Sequence, residues 1–284
     1  MLYKAYELCY SRFMKNEIVD FKHQTENFIF QLKETCGEGA TNFKKHIHPC
    51  YEIMYFDGGD VGFTVEDRQY VMKKGDVLLI KPAQYHFGNR IFESPYRRYC
   101  LIFTQEMSNV PELVDKIFSK GEKLSLGENS LFSKLLAAFF EKLEKSAAHD
   151  VEFCKSMLTA ILIALEDANP SAENKLPSKL TNYQKIINFI NTHVNSIHSV
   201  DDISEALFFS KSYIMHLFKS ELQIGVMQYV RNKKILLAHI EISKGRKPTD
   251  VYHECGFSNY PTFYRAYLSY FGFSPKNKST LIEE

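Results

Sequence analysis

The chain has 284 residues, with 35 Lys and Arg against 34 Asp and Glu and a formal net charge of +1. Its 45% hydrophobic and 24% charged content fits a soluble globular protein of about two domains and excludes global disorder. No apolar run reaches the ~20 residues of a membrane span, and the first residues lack a signal-peptide core. The six cysteines form no C-x-x-C, so reduced thiols in a cytoplasm are expected.

Near-neutrality is an average of two unlike parts. From Ser178 onward there are 13 basic against 9 acidic residues, a balance of +4, and the residues before it carry −3. A polar stretch at 169–178, bracketed by Pro170 and Pro177, has the composition of a linker. It separates an expected regulatory domain at 1–168 from a second domain at 179–284.

Taken in chain order, residues 27–103 carry short β-prone runs at 28–32, 51–55, 62–65, 69–72, 77–80 and 99–103, punctuated by Gly, Asp and Pro. Such spacing predicts a sandwich or small barrel. After Leu126 the apolar period changes to 3.6, and two helices are expected within about 129–168. One stripe runs Leu131, Leu135, Phe139 and Leu143, widened by Leu136 and Phe140; the other runs Phe153, Met157, Ile161 and Leu165. The pair packs either on the barrel or on a second subunit.

Within the β region stand His46, His48, Tyr51 and Glu52, followed by Gly75-Asp76 and by Pro82 to His86. Alternation along an extended strand places His46 and His48 on one face. This pattern resembles the cupin family, whose two motifs supply two His and a Glu, then a third His. It departs at Pro82-Ala83-Gln84, where the second motif usually has Pro-x-Gly. His46, His48, Tyr51, Glu52 and His86 are therefore candidate effector-binding residues, with Tyr55 also expected in the barrel. Three imidazoles and a carboxylate are also a possible set of divalent-metal ligands, although such histidines equally serve as hydrogen-bonding groups. No metal and no cofactor is assigned from the sequence.

The last hundred residues contain a duplication. Asp202 to Ser210 aligns with Asp250 to Ser258, and Tyr213 to Leu222 aligns with Thr262 to Phe271 after one extra residue in the second copy. Each copy reads as a helix, a tight turn ending in Ser, and a second helix, at about 200–222 and 248–271. Ser210 and Ser258 are the expected caps. Gly256 supplies left-handed freedom, where the first copy has Phe208. In the first copy Ile214, Leu217, Phe218 and Glu221/Leu222 form the expected buried stripe and leave Ser212, Met215, His216 and Lys219 on the opposite side. In the second, Phe263, Ala266, Tyr267 and Phe271 are buried opposite Pro261, Tyr264, Arg265 and Leu268. The candidate DNA-binding residues are Ser212, Met215, His216, Lys219, Tyr260, Pro261, Thr262 and Arg265. An Arg binds a guanine edge or phosphate, and a His donates to or accepts from a base edge.

Residues 180–278 resemble the DNA-binding domain of the AraC/XylS family of transcription regulators. The resemblance rests on Ile203 to Leu207, Phe209-Ser210, Tyr213-Ile214, Leu217 to Lys219, Gly256 to Ser258, Phe263 to Tyr267 and Phe271 to Pro275. It departs at Phe208, at Gln223 where Gly is usual, and at Ser212. It implies an α+β multidomain protein: an N-terminal cupin-like β-barrel with a helical pair, then a C-terminal all-α domain with two helix-turn-helix motifs. The implied function is a cytoplasmic, ligand-responsive activator, not an enzyme. Its implied partners are double-stranded operator DNA, a small-molecule effector of carbohydrate type, a second copy of the chain and RNA polymerase, with no membrane. A metal-dependent cupin enzyme or metal sensor carrying a DNA-binding domain is the alternative, and an effector-free regulator with the barrel as scaffold is a third.

Overall fold

Side-chain alternation along the strands divides the N-terminal half into two cores. The computed structural model describes residues 19–25, 27–35, 45–59, 61–90, 96–127, 129–145, 151–170 and 180–277. Its strands are β1 (Val19–Thr25), β2 (Phe28–Thr35), β3 (Tyr51–Gly58), β4 (Val61–Val65), β5 (Arg68–Met72), β6 (Asp76–Ile80), β7 (His86–Arg90), β8 (Tyr96–Phe103) and β9 (Lys123–Ser125). An antiparallel six-stranded sheet runs β1-β2-β8-β3-β6-β9 and faces a three-stranded sheet β5-β4-β7. Met54, Phe56, Leu78, Ile80 and Cys100 point between the sheets and meet Phe63, Tyr70 and Met72. Their neighbours Ile53, Tyr55, Val77, Leu79 and Leu101 point to the outer face of the large sheet. A strand apolar on both faces is a strand covered on both faces.

Several elements differ from the sequence expectation, among them β7 (His86–Arg90), which lies in none of the expected β runs. β1 lies ahead of the expected start at residue 27, and the three-residue β9 adds an edge after the expected end at 103. Both are too short or too polar to give a clear period. Helix α1 (Pro111–Phe118), unanticipated, buries Val114, Ile117 and Phe118 on the outer face. The expected pair forms as α2 (Leu131–Lys145) and α3 (Val151–Ala164). Its buried rows are shifted: Phe132, Leu136, Phe139 and Leu143 face inward, while Leu131 is 64% exposed. In α3 the buried residues are Cys154, Leu158, Ile161 and Leu162, with Phe153 and Met157 only partly buried. Adjacent rows of both helices are apolar, so periodicity alone leaves the centre of the stripe uncertain by one position, or about 100° of rotation. Both helices pack on the large sheet of their own chain, with Phe139 stacked on Phe28 at 5.8 Å and Phe132 edge-on to Tyr55 at 5.6 Å.

The expected linker at 169–178 lies outside the described residues apart from 169 and 170. Beyond it come α4 (Asn182–His193), α5 (Val200–Leu207), α6 (Lys211–Leu222), α7 (Val226–Ser243), α8 (Pro248–Glu254) and α9 (Tyr260–Phe271). Thr181 and Gln184 cap α4 reciprocally. Asp202 accepts the backbone N–H groups of His198 and Ser199 ahead of α5, which holds its carboxyl below the usual range. Helix α7 is buried on nearly every side and joins the two helix pairs. At its centre Lys234 donates to the carbonyls of Ile197 and Gly256, at 2.6 and 3.0 Å.

Candidate nucleic-acid interface and effector site

The two helix-turn-helix units repeat one another down to their backbone conformations. Phe208 ends α5 in the left-handed region (φ 58°), as Gly256 (φ 74°) does after α8. Gln223 ends α6 at φ 65°, as Gly272 ends α9 at φ 76°. Both departures from glycine therefore keep the turn that glycine favours. The caps correct the sequence alignment. Ser210 accepts the Tyr213 N–H (3.3 Å) as expected, but Asn259, not Ser258, accepts the Thr262 N–H (2.9 Å). The extra residue thus lies between the left-handed turn and the cap, and the positions within the helices remain aligned, with His216 matching Arg265.

Ile214, Phe218 and Leu222 are buried in α6, and Phe263 and Tyr267 in α9. Ser212, Met215, His216 and Lys219 are exposed, as are Pro261, Thr262 and Arg265. Tyr260 is half-buried and packs edge-on to Tyr252 at 5.7 Å and tilted on Phe263 at 5.8 Å, so much of its ring serves the core. Each second helix therefore has one face locked in its domain and one face offered to solvent, the requirement for groove insertion.

In the N-terminal domain the structure brings four of the five effector candidates together. The ligand atoms of His46, His48, Glu52 and His86 all lie within 4.8 Å of one another. His46 reaches the site by an isolated bridge in which its backbone and that of His86 exchange hydrogen bonds of 3.2 and 3.1 Å. Nε2 of His48 and Nε2 of His86 lie 3.1 and 3.0 Å from the same oxygen, Oε2 of Glu52. Nδ1 of His48 meets the Cys50 carbonyl at 3.0 Å, and Nδ1 of His86 meets that of Gln84 at 2.9 Å. Cys100 donates from Sγ to the other oxygen of Glu52 at 2.9 Å. Burial alone would raise the Glu52 carboxyl, but contact with His48 and His86 reverses this and holds it well below the usual carboxylate range. Burial also lowers the His86 imidazole, against the opposing pull of Glu52.

Tyr51 is the exception. It stacks on Phe103 at 5.8 Å, meets Phe118 edge-on at 4.8 Å and donates to Asp115, all on the outer face of the sheet. Tyr55 also lies there, against Phe132. With Glu52 pointing inward, period-two alternation sends both odd-numbered tyrosines outward.

Sequence reading missed the contact between the two halves. Glu66, at the end of β4, accepts Lys233 Nζ (2.7 Å) and the Tyr85 N–H (2.9 Å) on one oxygen, and Tyr229 Oη and Asn191 Nδ2 on the other. Tyr85 stacks on Tyr229 at 4.8 Å, and its hydroxyl accepts from Asn232. Ile47, Ala83 and Tyr85 are buried in one cluster with Ile186, Ile190 and Tyr229. Tyr270 donates to the Ile47 carbonyl at 3.3 Å, and Lys45 to that of Glu221. Glu66 and Lys233 belong to no motif of the sequence, although they are only 6% and 7% exposed.

Comparison with known proteins gives two matching family models, described as AraC-like ligand binding domain over residues 36–162 and Helix-turn-helix domain over residues 203–278. The HTH-type transcriptional regulator YbfI of Bacillus subtilis is 22% identical over 76% of this chain and 80% of its own length. The arabinose operon regulatory protein of Escherichia coli K12 is 22% identical over 77% of this chain and 76% of its own. Among solved structures, ToxT from Vibrio cholerae O395 aligns with 88% of this chain and 96% of that chain at 12% identity and a TM-score of 0.38.

Proposed function

This chain belongs to the AraC family of DNA-binding transcription regulators, and on that premise we propose that it is an effector-responsive activator working as a homodimer. Its two helix-turn-helix units insert α6 and α9 into successive major grooves. A small effector is held where His46, His48, Glu52 and His86 converge. The observation that carries this reading is the pair of exposed helix faces on a domain that is docked, through Ile47, Ala83 and Tyr85, onto the segments that supply the histidines. Apolar side chains left exposed on the helical pair, Leu131, Val151 and Ile163, support a dimer contact there. Contact with RNA polymerase follows from the activator reading, and no catalytic step is part of it. The carbohydrate effector implied by the family resemblance is not carried forward: Tyr51 and Tyr55, which could have stacked on a sugar, lie on the opposite face of the sheet and leave three imidazoles and one carboxylate.

Selection of bound duplexes from a random library, followed by gel shifts, tests the DNA reading. The expected site has two recognition elements about one helical turn, ~34 Å, apart. If Arg265→Ala and His216→Ala both left affinity and sequence preference unchanged, the assignment of α6 and α9 would fail. Transcription in vitro from a promoter carrying the selected site should rise with added protein, and a fall would make the protein a repressor.

A further inference from the structure

Lys234 is a buried cation that the proposed DNA contacts leave unused. It stands midway along α7, is 5% exposed, and donates from Nζ to the Ile197 carbonyl at 2.6 Å and to the Gly256 carbonyl at 3.0 Å. The two acceptors belong to different helix-turn-helix units. Ile197 precedes α5 and is buried with Ile203, Ile214 and Phe218 in the core of the first unit. Gly256 lies between Cys255 and Phe257 of the second core, in the left-handed turn that follows α8. That turn also touches the first unit directly. A Cβ at Gly256 would stand 1.9 Å from the Asn195 carbonyl oxygen and 2.8 Å from Lys234 Nζ. Only glycine lets the turn of the second unit lie against the stretch between α4 and α5.

Stability does not account for a lysine at this place. Burial lowers its pKa, against the pull of Asp202 and Cys255. An apolar side chain of similar length would fill the same space without the cost of desolvating a charge. What the ammonium adds is direction. Leu237, Tyr270 and Phe271 also pack against both cores, but apolar contact is non-directional and tolerates sliding. A hydrogen bond holds only within a few tenths of an ångström of ~2.9 Å. Changing the separation of two DNA elements by one base pair requires ~3.4 Å of translation and ~34° of rotation between the units. At the ~5–6 Å radius to which side chains reach from a helix axis, that rotation is an arc of ~3 Å. Either motion carries one of the two carbonyls out of reach of Nζ.

We propose that Lys234 is a positioning residue for DNA recognition: by tying Ile197 to Gly256 it fixes the spacing and rotational phase of α6 and α9, and so selects the separation of the two elements that the protein reads. The inference rests on the reading that both units insert into DNA. Being buried, Lys234 acts through the backbones of the two units and not by contact with a base or phosphate.

The test uses the full chain and the duplex found by selection, rebuilt with one or two base pairs added or removed between its two elements, together with duplexes carrying one element alone. Wild type is expected to show one optimal spacing and to lose about tenfold in affinity per base pair of displacement. In Lys234→Met the loss should fall below about threefold per base pair, while binding to one-element duplexes stays within about twofold of wild type. Lys234→Arg keeps donors for both carbonyls and should retain the steep profile. If Lys234→Met does not fold by circular dichroism, Lys234→Gln, whose shorter side chain cannot span both carbonyls, takes its place with the same expectation. A steep profile in the folded Met or Gln variant overturns the proposal. So does a matching loss on one-element duplexes, which would make Lys234 a stabiliser of one unit. A flat profile in Lys234→Arg overturns it too, because the effect would then belong to packing. Failure of the reading beneath it is distinct: wild type itself would be indifferent to spacing and would bind two-element duplexes no more tightly than one-element duplexes.

Discussion

Phe208 and Gln223 occupy backbone conformations that cost an L-residue roughly 1–2 kcal/mol each, yet both end their helices in the first helix-turn-helix unit. Phe208 is 93% exposed, so its ring recovers little of that cost by packing. We expect Phe208→Gly and Gln223→Gly each to raise unfolding stability by about 0.5–1 kcal/mol, part of the relief being offset by the freer unfolded chain. The midpoint of urea unfolding checks this. At Gly256 the reverse holds, because a Cβ there would stand 1.9 Å from the Asn195 carbonyl oxygen at φ 74°. Gly256→Ala should cost more than about 2 kcal/mol, combining left-handed strain with displacement of the Asn195 backbone. His239 gives a pH-dependent effect. Burial lowers its imidazole to about 4, so the folded chain keeps it neutral while the unfolded chain binds a proton below the ordinary value of about 6.5. Its contribution is complete above that value and is lost as pH falls from about 6.5 towards 4. Urea midpoints of wild type should decline more steeply across that window than those of His239→Asn.

At the scale of elements, the two second helices differ in what they offer DNA. α9 presents Arg265 and the short side chains Pro261 and Thr262, whereas α6 presents Ser212, Met215, His216 and Lys219. Loss of Arg265 should cost ~1–3 kcal/mol and relax preference at one base pair if it reads a guanine edge, while Lys219→Ala should weaken all sequences alike and lower the salt slope by about one. Gel shifts over a salt series with matched and mismatched duplexes separate these outcomes. The duplication was readable in the sequence because its buried stripes and turn residues recur at fixed offsets. The cap at Asn259 was not, since Ser258 and Asn259 are both good N-caps and only the folded turn selects between them. The same limit explains α2, whose neighbouring apolar rows are distinguished only by the sheet that covers one of them.

For the whole molecule, the contact between the halves packs Ile47, Ala83 and Tyr85, which flank His46, His48 and His86, against the C-terminal domain. Glu66 and Lys233 form a buried pair whose other hydrogen bonds are satisfied by Tyr229, Asn191 and the Tyr85 N–H. Lys233→Met leaves the Glu66 carboxylate buried without its cation, and removal of one member of such a pair typically costs 3–5 kcal/mol. Undocking is the way out of that cost. The variant should therefore show faster amide exchange at Tyr85 and Tyr229 while each half keeps its own secondary structure by circular dichroism. The near-neutral charge of the chain also takes on a definite meaning at this scale. The excess of +4 lies in the domain that carries both DNA-binding units, too small for tight non-specific binding, so specific affinity should depend on both units together and fall as salt rises.

The sequence by itself determined the two-part organisation, the duplicated helix-turn-helix pattern and the four groups His46, His48, Glu52 and His86. These depend on local periodicity, turn chemistry and spacing, which neighbouring residues carry among themselves. Only the tertiary structure decided that Tyr51 leaves the site, which row of α2 is buried, and that Glu66 and Lys233 meet in the interior. Those outcomes depend on which surfaces cover one another, and in this chain Glu66 and Lys233, 167 positions apart, become neighbours only when the two domains fold and dock.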